Sequence, residues 1–252
     1  MNHTLNIVSS TIASSVRSWR GTSASKTSQP PAKTLVLFDR EGCPQCRFVR
    51  EAITELNLDV VITPCPIGGR TIEQLKQDTG SSEIPLLIDA NTNQQVQGAE
   101  AAVNYLFEEY RGKRPPKQLL ANKLNQLASS LASGIRFNAG INAKPSKGAE
   151  KPLTLYSFES SPFSRPVREL LCELELPYLL VTLGKQQKSD MGPANFRFTL
   201  KPYKPLANSK RDAFFQAHGN VQVPYLVDPN TDTNLFESAD IISYLKKTYS
   251  AK

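Results

Sequence analysis

The sequence predicts an α/β protein built from two tandem copies of one βαβαββα module, joined by a partly helical linker. Three observations carry this reading. Short apolar runs alternate with amphipathic stretches of helical length, which is the signature of strands and crossover helices. A dithiol motif, Gly42-Cys43-Pro44-Gln45-Cys46-Arg47, stands where the first apolar run gives way to the first such stretch. The pattern of residues 33–111 then returns in 151–252. Aligning Cys43 with Ser161 superposes Pro44 on Pro162, Arg47 on Arg165 and Arg50-Glu51 on Arg168-Glu169, and aligning Pro85 with Pro224 superposes Asp89 on Asp228 and Tyr105-Leu106 on Tyr244-Leu245.

In the first copy the expected order is a strand over 34–38, a helix over 44–57 with Val49, Ala52, Ile53 and Leu56 as its apolar stripe, and a strand over 59–62. A second helix over 71–78 opens on Thr71 and Gln74, read as a capping box. Then come a strand over 84–88, a turn over 89–93, a short strand near Val96 and a helix over 98–110. This is the thioredoxin-fold order, in which the X-Pro pair entering the third strand, Ile84-Pro85, is the place for a cis proline facing the dithiol. The second copy carries 21 extra residues between Gly184 and Gly219, rich in Lys, Arg and aromatics. That insertion reads either as a surface for RNA or an acidic protein, or as a helix and loop whose aromatics fill a local core.

Residues 1–32 form a tail without Asp or Glu, with Leu5, Val8, Ile12, Val16 and Trp19 at helical spacing. It reads as an organellar presequence or as an amphipathic helix docked through Trp19. Residues 112–150 form a basic linker, in which Leu119, Leu120, Leu124, Leu127 and Leu131 have helical periodicity, and this helix is expected to pack across the two modules. The net charge of +7 is concentrated in this tail and linker, while 33–111 is acidic, which argues against a nucleic-acid-binding fold built on a basic face. No apolar run is long enough to span a membrane, no secretory signal opens the chain, and four cysteines are too few for a disulfide scaffold. The expected location is the cytoplasm, or an organelle if residues 1–32 act as a presequence.

Pro44 suits the first helical position, which puts Cys43 at the N-cap, where free N–H groups and the helix dipole favour thiolate. Cys43 is therefore the expected nucleophile and Cys46 the resolving thiol. Structural zinc and inert burial are the competing readings of the pair, but no further ligands stand at zinc spacing and no metal is expected. Cys65 reads as a structural cysteine or a third redox thiol, and Cys172 as core. Arg47 and Arg50 read as support for the thiolate or as a solvated helix face.

Cys43-Pro44-Gln45-Cys46, Pro64-Cys65-Pro66 with Gly68-Gly69, Ser161-Pro162-Phe163-Ser164, Val223-Pro224-Tyr225 and Phe236-Glu237-Ser238 together resemble the tandem glutaredoxin-like proteins, which carry two modules of the glutathione-transferase N-terminal type. The resemblance spans roughly residues 33–252. It implies a thioredoxin fold in each module, glutathione as cosubstrate, and disulfide or glutathionylated substrates. Ile84 and Pro85, and Val223 and Pro224, are then the groove residues that meet the cysteinyl part of the tripeptide, while Glu237 and Ser238 grip its γ-glutamyl end. Ser161 is a placeholder or a hydrogen-bond donor to a glutathione thiolate. In the first module Gly98-Ala99 stands where Glu237-Ser238 stands in the second, so the two copies look complementary: thiols in one, the better pocket in the other. The expected function is a glutathione-linked thiol–disulfide oxidoreductase, the alternative a non-catalytic or transferase-like glutathione-binding module using the second copy.

Overall fold

A computed structural model describes residues 2–26 and 28–251. The first copy runs α1 (His3–Val16), β1 (Leu35–Asp39), α2 (Pro44–Glu55), β2 (Val60–Pro64), α3 (Arg70–Thr79), β3 (Leu86–Asp89), β4 (Gln94–Gln97) and α4 (Ala99–Arg111). The second runs α5 (Lys123–Ile135), β5 (Leu153–Ser157), α6 (Arg165–Glu173), β6 (Tyr178–Thr182), α7 (Lys210–His218), β7 (Tyr225–Asp228), β8 (Thr233–Phe236) and α8 (Ser238–Tyr249). The chain is therefore two thioredoxin-like units, as the alternation of patterns predicts. Ile84–Pro85 and Val223–Pro224 are both cis.

The two four-stranded sheets merge into one of eight, in the order β4-β3-β1-β2-β6-β5-β7-β8. The seam is an antiparallel pairing of β2 with β6, with Val60 opposite Leu180, Val61 opposite Leu179 and Ile62 opposite Tyr178. Val61 and Leu179 occupy equivalent positions of the two copies, so an approximate two-fold axis passes through that pair. A single apolar cluster crosses the seam, from Leu37, Phe48 and Ile53 to Leu155, Leu171 and Leu245. Burying each copy's inner edge in this way removes two unpaired strands at once.

The symmetry reaches further than residues 33–111 and 151–252. Shifting the chain by 119 places Asn6 on Asn125, Ser10 on Ser129, Ala13 on Ala132, Ser14 on Ser133, Arg17 on Arg136 and Gly21 on Gly140, so α5 stands to the second copy as α1 stands to the first. These two helices lie antiparallel. Arg17 donates to the Asn125 carbonyl at 2.8 Å, and Arg136 donates to the Asn6 carbonyl at 2.9 Å.

Both helices pack in the sense opposite to the one their apolar stripes suggest. The inward face of α5 is Asn125, Ser129, Ala132 and Ser133, while Leu124 (79% exposed), Leu127 and Leu131 point outward. On α1 the buried residues are Ser10, Ala13 and Ser14, and Leu5, Val8, Ile12 and Trp19 are exposed. The linker helix does pack across the body, but through its polar side, and Trp19 does not anchor α1. The reason is what lies beneath. Arg47, on α2, donates to the Ser129 carbonyl and hydroxyl and to the Ser133 hydroxyl, and Arg165, on α6, donates to the Ser14 hydroxyl at 2.9 Å. Buried guanidinium groups need acceptors, and a leucine face offers none.

Arg47 and Arg50 accordingly do not solvate a helix face; both are buried. Arg50 bonds Asp39 at 2.6 Å and Glu159 at 3.0 Å, and its counterpart Arg168 bonds Glu41 at 2.9 Å and Glu159 at 3.0 Å. Each arginine thus reaches the acid of the other copy across the axis. Close approach here is secured by Gly21 and Gly140, both at positive φ: a Cβ on Gly21 would lie 2.6 Å from Glu159 Cβ, and one on Gly140 would lie 3.0 Å from Glu41 Cβ.

Two smaller expectations are corrected. The helix expected at Thr71 begins at Arg70 with Gly69 as N-cap, and no Thr71–Gln74 capping box forms. Instead Glu175 of the other copy accepts from the Thr71 N–H at 2.8 Å and from Arg70 at 3.2 Å. The carboxylate arrives from a distant segment, which no local pattern announces. In the insertion, Phe214 and Tyr203 with Phe215 join Leu183, Val221 and Tyr225 in a local core, whereas Phe196 and Phe198 remain exposed.

Candidate functional site

Cys43 is the N-cap of α2, with extended backbone (φ −73°, ψ 125°) and Pro44 at the first helical position. Its sulfur is half-buried and that of Cys46 fully so, and all four cysteines are free thiols. The Cys43 thiol is pulled down to about 6. The largest cause is a hydrogen bond donated by the Cys46 thiol; the backbone N–H groups of Cys46 and Gln45 and the charge of Arg50 add to it, and together they overcome partial burial. Cys46 moves the other way, well above the usual thiol range, because it is buried, it gives its proton to that bond and it faces Asp39. The opposed shifts leave an ionised Cys43 beside a protonated Cys46 near neutrality.

The segment after α5 packs on Gly42, next to the pair in sequence. Gly42 donates its N–H to the Gly140 carbonyl at 3.1 Å, and a Cβ on Gly42 would lie 2.5 Å from the Ile141 side chain. The second copy thereby helps to shape the surroundings of the first copy's thiols. Cys65 is buried in a cluster with Ile72, Leu75 and Leu86, and burial pushes its thiol up to about 12, so it is protonated and inert near neutrality. Cys172 is buried too, its sulfur donating to the Gly140 carbonyl at 3.3 Å, and its thiol is likewise raised.

The second copy holds a cavity of about 720 Å³. Ser161, Val223, Pro224, Glu237 and Ser238 all line it, so the structure brings together every candidate binding residue of that copy. Ser161 is not an N-cap, however. The helix starts one turn later, at Arg165, with Ser164 as N-cap, and Ser161 accepts from the Ser164 N–H at 3.2 Å and from its hydroxyl at 2.9 Å. With both bonds accepted, the Ser161 proton remains for donation towards the cavity.

Residues outside the sequence-level candidates complete this site. Met191, Pro193 and Phe198 from the insertion form one wall, and Thr11, Trp19 and Thr22 of the first copy contribute another part of the lining. Lys185, Arg197 and Arg211 also line it. Burial, then the charges of Arg211 and Arg197, lower Lys185 to about 8. The insertion's basic and aromatic composition was the signal for this role. Glu237 adopts φ 63°, a left-handed conformation costly for a residue with a side chain.

At the equivalent place in the first copy, Gly98 and Ala99 border a more open hollow of about 570 Å³ beside Gln45. Neither of these two cavities is lined by Cys43, Cys46, Ile84 or Pro85. Among the described residues no group of three or more His, Cys, Asp or Glu is placed to hold a metal ion, and no helix is long and apolar enough to cross a membrane.

No curated protein and no solved structure matches the chain. The family model for the glutathione S-transferase N-terminal domain matches it twice, over residues 37–114 and 155–252. With both units of the fold covered by that match, the chain belongs to the glutathione S-transferase N-terminal domain family.

Proposed function

We propose that the protein is a glutathione-linked thiol–disulfide oxidoreductase. The observation that carries this reading is the polarised pair, Cys43 held near 6 at a helix N-terminus beside a protonated Cys46. The Cys43 thiolate attacks a disulfide or glutathionyl mixed disulfide, forming a bond to one sulfur while the other leaves as thiolate. Cys46 then loses its proton and attacks Cys43, releasing the bound sulfur as thiol and leaving a Cys43–Cys46 disulfide. Two glutathione molecules reduce that disulfide and leave as glutathione disulfide. Ile84 and Pro85 border the substrate groove in this reading.

Reductase activity towards a small glutathionyl mixed disulfide, assayed with glutathione, tests it. Loss of activity in Cys43→Ser is expected, and unchanged activity would reject the reading. Iodoacetamide should label Cys43 with a midpoint near pH 6.

A second reading rests on the large cavity: a glutathione-binding module, non-catalytic or transferase-like, in the second copy. A positive, partly apolar cavity with a hydroxyl donor, Ser161, at one side and a helix N-terminus at Ser238 suits a peptide bearing carboxylates and a thiol. Calorimetry separates the readings. Glutathione binding that is lost in Ser238→Ala, in a protein whose Cys43→Ser variant has the same turnover as the native chain, would favour the second.

A further inference from the structure

The outer face of the α1–α5 pair is the largest feature the thiol chemistry leaves unused. It presents Leu5, Val8, Ile12, Leu124, Leu127, Leu131 and Phe137, all exposed, with Phe137 at 76%. The helices are not merely frayed or misoriented there, because their inner faces are fixed by the buried bonds of Arg17, Arg47, Arg136 and Arg165. The same apolar positions recur in both copies: Leu5 matches Leu124, Val8 matches Leu127, and Ile12 matches Leu131. Two stripes lie side by side in one layer, antiparallel.

The two helices and the segments joined to them carry charge of one sign. Residues 1–38 and 110–149 contain no Asp or Glu. The acids beneath the layer, Glu51 and Glu169, are buried and paired with Arg17 and Arg136. At one end of the pair, cations gather round Asn125: Arg20 donates to its side chain at 2.7 Å, its amide donates to the Lys117 carbonyl at 3.4 Å, and Lys123 opens α5. Lys113, Arg114, Lys117 and Lys123 are all exposed.

We propose that this face docks on an anionic lipid surface, with the aliphatic stripes at the level of the headgroups and the cations on their phosphates. An apolar face with exposed Lys and Arg gathered at one end, and with no acid on either helix, matches the pattern of helices lying in a membrane interface. A second copy of the chain fits less well. Neither helix offers an acid to pair with the other copy's cations. Helices of 14 and 13 residues side by side also cover roughly 20 Å by 20 Å, about half the area per partner of a stable dimer.

Flotation of the full chain with phosphatidylcholine vesicles, with and without phosphatidylglycerol, tests the proposal. The native chain should float with the anionic vesicles and stay behind with the neutral ones. Leu124→Glu with Leu131→Glu should weaken binding by on the order of tenfold or more, as should Lys117→Gln with Lys123→Gln. Leu200→Glu, fully exposed on the insertion, should bind as the native chain does. All five positions are exposed, and an unchanged far-UV spectrum reports the intact fold. Failure of the native chain to float would overturn the proposal, as would variants that float undiminished. So would sedimentation equilibrium showing a native dimer that the leucine variants split, which would assign the face to a second copy.

Discussion

Glu237 sits at a backbone angle that its counterpart, Gly98, adopts without cost. Keeping a side chain at φ 63° costs about 1–3 kcal/mol, and the residue that bears it borders the large cavity. Replacing it with the first copy's residue separates stability from binding: Glu237→Gly should raise the unfolding free energy in urea by about 1 kcal/mol, while glutathione affinity measured by calorimetry falls. At the thiols, the main support of the Cys43 thiolate is the Cys46 S–H. Cys46→Ala should therefore move the midpoint of Cys43 alkylation upward from about 6. Folding lowers the Cys43 thiol from 9.0, so its ionisation stabilises the native state above about pH 9, and that contribution fades as pH falls to about 6. Chemical denaturation at pH 5 and pH 8.5 should show Cys43→Ser losing more stability at the higher pH. The cysteines, the proline following each site and the Glu-Ser pair were legible in the sequence because their chemistry is local. Asp39, Lys185, Arg197 and Arg211 were not, since each acts on a group brought near only by the fold.

Among the elements, strands and crossover helices followed from apolar periodicity, and α2 starts at the proline the sequence pointed to. Periodicity failed for α1 and α5 because it finds the apolar stripe without revealing whether the stripe faces in. Here the neighbouring layer is a row of buried arginines, so Ser and Asn make the better inward face. Ser129 shows the consequence: it accepts from Arg47 and donates to the Pro44 carbonyl at 2.8 Å. Ser129→Leu should cost about 2–4 kcal/mol in urea unfolding, through overpacking and loss of Arg47's hydroxyl acceptor. Leu127→Ser, which follows an ordinary pattern of core damage on paper, should change stability by less than about 0.5 kcal/mol.

Across the whole molecule, the two copies are held by a seam of two kinds, the β2–β6 pairing and the arginine–carboxylate cluster on the two-fold axis. Burial alone would raise Glu159, yet Arg168, Arg50, Arg165 and Arg47 hold it down at about 2. Removing Arg168 takes a partner from both Glu41 and Glu159 and leaves Arg50 to serve three buried carboxylates. Arg168→Met should cost about 3–5 kcal/mol, read from the unfolding midpoint of the full chain. The duplication of 33–111 was visible because turn and helix-start residues repeat there. Its extension into the tail and linker was not, since Ser, Ala, Asn and Arg at helical spacing carry little signal until their shared contacts are seen.

A self-complementary meeting of like surfaces is how two identical subunits associate. In this chain the partners are covalently joined, and neither is free to exchange. A pair of identical subunits must change both active centres with every substitution, whereas a fused pair changes them one by one. The serines of one half beside the cysteines of the other, around an axis both still share, are what that freedom permits.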